Sequence, residues 1–215
     1  MPSLSKESLS EQIKKILERR IVNLDINPGE KINLNELEEE FEVSRAPLRE
    51  ALQNLVEKGL VEVKPRVGYF AVHLDTGQIK DICEMRKLLE VYALEKSIDK
   101  ISRTKLKTLK EKTLKIKKGE IPQEEVRGVF DEIDDQLHEL LIFKANNQFL
   151  QDFTERLHNL IRLTRHLNER LEAANKEHLQ LIRSILDKDL LKSKKILKLH
   201  LNNVEKEILK KQNLS

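Results

Sequence analysis

The chain has 215 residues and no tryptophan, with two tyrosines and six phenylalanines, so aromatics reach only 4%. Its core must therefore be aliphatic, chiefly leucine and isoleucine. A single cysteine, Cys83, excludes an intrachain disulfide and suits a reducing compartment. Set near Ile79 and Ile82 on a predicted helix, it reads as a packed thiol rather than a reactive one. No apolar run approaches the length of a membrane span, and the first residues lack the basic and apolar regions of a signal peptide. The expected location is the cytoplasm, with no membrane partner. Internal repeats and low-complexity linkers are also lacking.

A basic DNA-binding half is missing as well. The net charge is +3, but residues 1–73 hold 11 lysines and arginines against 13 aspartates and glutamates. Bulk charge gives no support for nucleic-acid binding, so that case must rest on where particular arginines stand.

What the chain does have is charge in helical patterns. Charged residues make up 36% and hydrophobic ones 39%, the balance of long amphipathic helices. The excess of lysine and glutamate is of the kind found in thermophilic proteins. The length suits one large or two modest domains.

Helical periodicity predicts a first helix over 5–22, a short one over 34–41 and a third from Ser44 to about Lys58. Pro28-Gly29 marks a turn. Asn33 with Glu36 forms a candidate capping box, Ser44 a candidate N-cap, and Gly59 the stop. Two β-type runs follow, Leu60–Lys64 and Tyr69–Val72, joined through Pro65-Arg66-Val67-Gly68. From Asp75 onward six helices are expected, near 76–99, 102–118, 122–144, 147–168, 170–187 and 189–211. The reading is a mainly α chain. A winged helix-turn-helix with a two-stranded wing spans residues 1–73, and an antiparallel all-α bundle of six to seven helices spans 74–215. The lysine-rich stretch from Lys105 to Lys118 reads as a solvated face.

A helix-turn-helix inserts the N-terminal end of its second helix into the major groove. Here that end is Ser44-Arg45-Ala46-Pro47-Leu48-Arg49, with Arg45 and Arg49 four apart on the face opposite Leu48, Leu52 and Leu55. An arginine can fork onto guanine or hold a phosphate, and Ser44 can hold a phosphate. Arg66 at the hairpin tip suits the minor groove or a neighbouring phosphate, and Gly68 permits close backbone approach.

On the later helices four polar residues interrupt apolar stripes. Asp134 and His138 are one turn apart beside Phe130, Leu137 and Leu141; His178 falls among Ala174, Leu181 and Ile182, and His200 among Leu197, Leu201 and Val204. An inward histidine taken singly is a hydrogen-bonded core residue or a ligand. All four together supply the nitrogen and oxygen donors that zinc, nickel or manganese accepts. Buried without partners they would be costly. Arg86 lies on the stripe with Ile79, Cys83 and Leu89. It is read either as a bidentate contact for an acid's carboxylate or as an internal ion pair, for instance with Glu90.

Pro28-Gly29, Ser44-Arg45-x-Pro47-x-Arg49-Glu50-Ala51-Leu52, Leu55, Gly59-Leu60-Val61 and the Gly68 wing resemble the DNA-binding domain of GntR-superfamily bacterial transcription regulators. Downstream, Met85-Arg86-x-x-Leu89-Glu90, Asp134-x-x-x-His138, Asn147, Glu177-His178 and His200 are similar to the FCD effector domain of the FadR-like branch. The resemblance runs from about Leu9 to Leu201. It implies a homodimer on palindromic operator DNA, acting as a repressor. It also implies one divalent ion per chain, zinc first, on Asp134, His138, His178 and His200, and a small carboxylate or hydroxy acid as effector, since the acyl-CoA-binding member lacks this metal set. Asn35 stands where the fatty-acid-responsive member has a basic DNA-contacting residue, and the wing tip is less basic than in many relatives. Two alternatives stand beside this: a regulator that responds to metal alone or is structurally metallated, and a helical metallohydrolase, which lacks an obvious general base. His73, His158 and His166 read as structural or surface residues. The segment from His158 to His166, with Arg162 and Arg165, is a second candidate for effector contact.

Overall fold

The computed structural model describes residues 7–164 and 167–212. The chain divides into two compact units, one of residues up to Asp75 joined by 158–164, the other of 76–157 and the chain from Leu167 on.

In the first unit, α1 (Leu9–Val22) starts where the Ser8 hydroxyl accepts from the Glu11 N–H at 3.2 Å. The helix is thus shorter than the expected 5–22, because Ser8 caps it. Its buried face is Ile13, Leu17 and Ile21, one residue per turn, while Leu9 and Ile16 stay exposed. Next, α2 (Leu34–Phe41) is capped by Asn33, whose side chain accepts from the Asn35 N–H at 3.0 Å. The expected capping box takes a different form, since Glu36 accepts from the Asn33 side-chain amide at 2.7 Å rather than from its backbone. The helix ends at Glu42 in the left-handed conformation, φ 53°. A Cβ is unfavourable there.

Ser44 occupies the N-cap position of α3 (Arg45–Glu57) but makes no side-chain cap hydrogen bond, contrary to its expected capping role. Leu48, Ala51, Leu52 and Leu55 form the buried face. The helix closes with Gly59 at φ 76°, the Gly59 N–H donating to the Val56 carbonyl and Leu60 to that of Leu55, each at 2.9 Å. This paired closure needs a residue that tolerates positive φ, hence glycine.

The wing strands β2 (Val61–Lys64) and β3 (Gly68–Ala71) pair antiparallel, with Val61 opposite Ala71 and Lys64 opposite Gly68. The sheet has a third strand that the sequence reading missed, β1 (Lys31–Ile32), paired to β3 with Ile32 opposite Tyr69. A two-residue strand has no periodicity to read. The core of the unit gathers Ile32, Leu37, Leu60, Val61 and Ala71 with the faces of α1 and α3, and includes Leu163. Arg162 and Lys58 both pair with Glu18, at 3.1 and 2.9 Å.

The second unit contains α4 (Thr76–Ser97), α5 (Arg103–Lys117), α6 (Gln123–Lys144), the first part of α7 (Gln148–Leu163), α8 (Leu171–Leu186) and α9 (Leu190–Gln212). Lys87 pairs with Glu205, and Glu95 with Lys194, so α4 and α9 run antiparallel. The Asn147 side chain accepts from the Leu150 N–H at 3.1 Å and caps α7. That helix stops short of the expected 168, where the Thr164 N–H and hydroxyl both donate to the Ile161 carbonyl. Arg165 and His166 lie outside the described residues. An aliphatic core of Leu94, Leu106, Ile133, Leu137, Leu181 and Leu197 leaves the inner faces of α4, α6, α8 and α9 to carry the polar residues.

Candidate metal centre and DNA-reading face

Ser44, Arg45, Ala46 and Arg49 are exposed on the first turns of α3, opposite the buried leucines. Asn35 on α2 is exposed as well. The Arg45 Nε donates to Glu38 at 2.8 Å and its Nη2 to the Asn35 Oδ1 at 2.5 Å. Arg66 is exposed at the wing tip with φ 64°. Gly68 has φ 135°, and a Cβ there would come 3.4 Å from the Lys31 side chain. Among the described residues, all these candidates lie on helix starts or at the wing, where a groove-reading element needs them.

In the second unit α6 places Asp134 and His138 one turn apart, α8 brings His178 and α9 brings His200. The Asp134 Oδ1 is 3.2 Å from the His178 Nε2, 3.5 Å from the His138 Nε2 and 4.0 Å from the His200 Nε2. The two Nε2 atoms of His178 and His200 are 3.2 Å apart. Donor atoms of all four residues lie within 4.8 Å of one another. The three imidazoles are buried, and Phe130 stacks on His178 with ring centres 5.4 Å apart.

The far nitrogens of two rings are held by carboxylates. His138 Nδ1 meets Glu90 in a very short contact, and His200 Nδ1 lies 2.9 Å from Glu177. Glu90 in turn accepts from the Arg86 Nε at 2.6 Å. Glu177 accepts from Arg170 and from Asn203, each at 2.8 Å. A carboxylate on Nδ1 leaves Nε2 as the ligating nitrogen and fixes the ring's direction. His178 differs, for its Nδ1 is buried without a hydrogen-bond partner.

Burial disfavours charge on His178 and pulls the pKa of His200 down to about 4, which favours for both rings the neutral form that a metal ion requires. Burial also works against charge on His138, but the Glu90 carboxylate overcomes it and lifts this ring to about 9. Asp134 and Glu90 are buried as well, a loss outweighed by His138 and Arg86, which keep both carboxylates ionised, Glu90 at about 2.

The donor set fits a metal ion. The His138 Nε2 is buried with no hydrogen-bond partner and only the Asp134 carboxylate 3.5 Å away, an arrangement that a group accepting its lone pair or proton would complete. Two imidazole nitrogens facing each other can share at most one proton between them. Zinc bonds of about 2.0–2.1 Å put tetrahedral donors about 3.3 Å apart, near the shortest separations seen here.

Residues 9–71 match the family described as bacterial regulatory proteins, gntR family, and residues 81–203 match the FCD domain. The chain belongs to the GntR family and carries an FCD domain. It is 30% identical to the HTH-type transcriptional regulator YdhC of Bacillus subtilis, over 87% of this chain and 85% of YdhC. It is 28% identical to the HTH-type transcriptional repressor RspR of Escherichia coli, over 75% and 70% of the two chains. The zinc-bound FCD domain of the regulator TM0439 superposes with a TM-score of 0.56 at 34% identity, over 64% of this chain and 96% of that domain.

This GntR chain is therefore a DNA-binding transcriptional regulator and not an enzyme, and the hydrolase alternative falls with that. Sequence reasoning leaves Glu90 only as an internal partner for Arg86 and gives Glu177, Arg170 and Asn203 no role. The available signals are a glutamate four residues from a buried arginine and the Glu177-His178 pair within the FCD-like pattern. Arg86 takes up that internal pair, while its Nη2 makes no hydrogen bond and lies 3.9 Å from the Asp134 Oδ2. Of the other histidines, His73 is exposed and His158 half-buried.

Proposed function

We propose that this regulator is a repressor whose operator affinity is set by a small carboxylate or hydroxy acid bound at a divalent ion in its FCD domain. The observation that carries this is the convergence of one carboxylate oxygen and three imidazole nitrogens within 4.8 Å. Asp134, His138, His178 and His200 would hold the ion, with zinc first and nickel or manganese as substitutes. When bound, the ion supplies a Lewis-acid position for a carboxylate oxygen. Zinc in the FCD domain of TM0439 and the repressor role in the name of RspR support the reading.

Residues 1–73 would be the DNA-binding domain and 74–215 the effector- and metal-binding domain. Asn35, Ser44, Arg45, Ala46, Arg49, Arg66 and Gly68 would meet operator DNA. A homodimer on a palindromic site would supply the base pairs that one winged helix cannot read alone. The Arg86 Nη2, free of hydrogen bonds, would take the acid's second oxygen. An acid alters DNA affinity only by binding one dimer geometry better than another.

A second reading, in which metal alone is the signal or only braces the bundle, is favoured by Arg86 already pairing with Glu90. The test is operator affinity of the apo, metal-loaded and metal-plus-acid forms across a panel of small acids. Affinity that shifts with acid only in the loaded form supports effector sensing. A shift with metal alone supports metal as the signal, equal affinities with a higher melting temperature on metal loading support the brace, and equal affinities with equal melting temperatures overturn both readings.

A further inference from the structure

Arg45 and Arg49 sit one turn apart on the same exposed face, yet their surroundings differ. Arg49 has no side-chain partner among the described residues, whereas Arg45 is held on two sides from α2. The helix α2 and its C-cap carry Glu36, Glu38, Glu39, Glu40 and Glu42. Glu36 bonds Asn33 and Glu40 pairs with Arg20, leaving Glu38 as the acid that meets Arg45. Glu38 is the more sheltered partner, its side chain 27% exposed against 54% for Arg45.

A guanidinium offers five N–H donors in a rigid fork. Glu38 uses the Nε hydrogen and Asn35 one on Nη2, so Nη1 and the remaining Nη2 hydrogen stay available side by side. That edge has the spacing for the O6 and N7 atoms of guanine. The neighbouring carboxylate also cancels much of the charge that would draw Arg45 to any phosphate, and phosphate attraction carries no sequence information.

We propose that Glu38, with Asn35, is a specificity-determining positioning residue that aims Arg45 at a base edge and weakens its hold on phosphate, leaving Arg49 as the unrestrained partner. The inference rests on the reading of α3 as the DNA-contacting helix. In a unit whose charge is net negative, discrimination would thus come from restraining an arginine rather than from adding one.

The test uses the full chain and a duplex enriched from a random pool by the wild-type protein. Binding to that duplex and to a scrambled one is followed by fluorescence anisotropy over a salt series for wild type, E38Q, E38A and R45A. Gln retains an oxygen to accept from Arg45 and removes the charge, so E38Q should bind scrambled DNA more tightly, with a salt slope steeper by about one phosphate contact. E38A loses the aim as well, and its preference for the enriched duplex should fall about fivefold or more, within the range of one bidentate base contact. Unchanged slopes in E38Q and unchanged preference in E38A, with R45A still losing preference, overturn the role of Glu38 and leave the DNA reading standing. If R45A itself keeps wild-type preference, the reading of Arg45 falls, and the inference with it.

Discussion

The two units treat charge in opposite ways. The first has a core of aliphatic side chains and keeps its ionic groups outside, where pairs such as Arg20 with Glu40 and Arg45 with Glu38 remain partly solvated. The second encloses Arg86, Glu90, Asp134, His138, His178 and His200 behind leucine and isoleucine. Solvated pairs contribute little to stability and are free to be exchanged for another partner, such as a phosphate or base. Enclosed charges depend wholly on one another, since desolvation has already removed the alternative of water. A surface of the first kind suits reversible contact with a large polyanion. An interior of the second kind suits a small charged guest.

The contrast is broken most severely at Glu90. Removing it in E90A strips Arg86 and His138 of their shared counter-charge, and urea unfolding should show a loss of about 3–5 kcal/mol. A double R86L/E90L exchange should recover the part of that loss due to Arg86, whose charge is then no longer stranded, while His138 still lacks its carboxylate. An E90A protein as stable as wild type would mean that the buried network is not a closed unit.

Leu52, fully buried on α3, gives the matching test in the first unit. L52A should cost about 2–5 kcal/mol in the same measurement, through the cavity it opens. Because the damage is apolar and lies in the other unit, zinc affinity by calorimetry should stay at the wild-type value. A parallel loss of metal would show that the candidate metal centre depends on the apolar core of the first unit.

E177Q sharpens the comparison within the candidate metal centre. It weakens the acceptor that orients His200 without touching a candidate ligand, and zinc affinity should drop about 10–100-fold. Asn203 and Arg170 also bond Glu177, so the fold itself should persist. An unchanged zinc dissociation constant would show that Glu177 serves packing only.

The smallest effect is expected at Glu42, a left-handed residue with a Cβ, φ 53°. E42G should stabilise the first unit by about 0.5–1 kcal/mol, part of the 1–2 kcal/mol left-handed penalty being returned as chain entropy lost by glycine. A lower melting temperature in E42G would show that the Glu42 side chain contributes more than its backbone conformation costs.

Much of this was legible beforehand for local reasons. The helices follow from 3.6-residue periodicity with caps and glycine stops, and the inward direction of Asp134, His138, His178 and His200 follows from their apolar neighbours on each helix. The strand β1 was not legible, because two residues become a strand only when β3 offers its edge. The missing cap bond at Ser44 and the early stop of α7 turn on single hydroxyl orientations that no residue pattern encodes. Glu177 is next to His178 in sequence yet faces His200, since adjacent helical residues point about 100° apart.

The sequence by itself determined which side chains turn inward, and hence that this chain would have to enclose an aspartate and three histidines. Side-chain direction along a helix depends only on spacing. Only the tertiary structure decided which of those groups share a proton, which carboxylate steers which ring, and that Arg45 is held from α2. Hydrogen bonds across helices depend on distances of a few tenths of an ångström between residues 7 to 48 positions apart, and packing alone sets those.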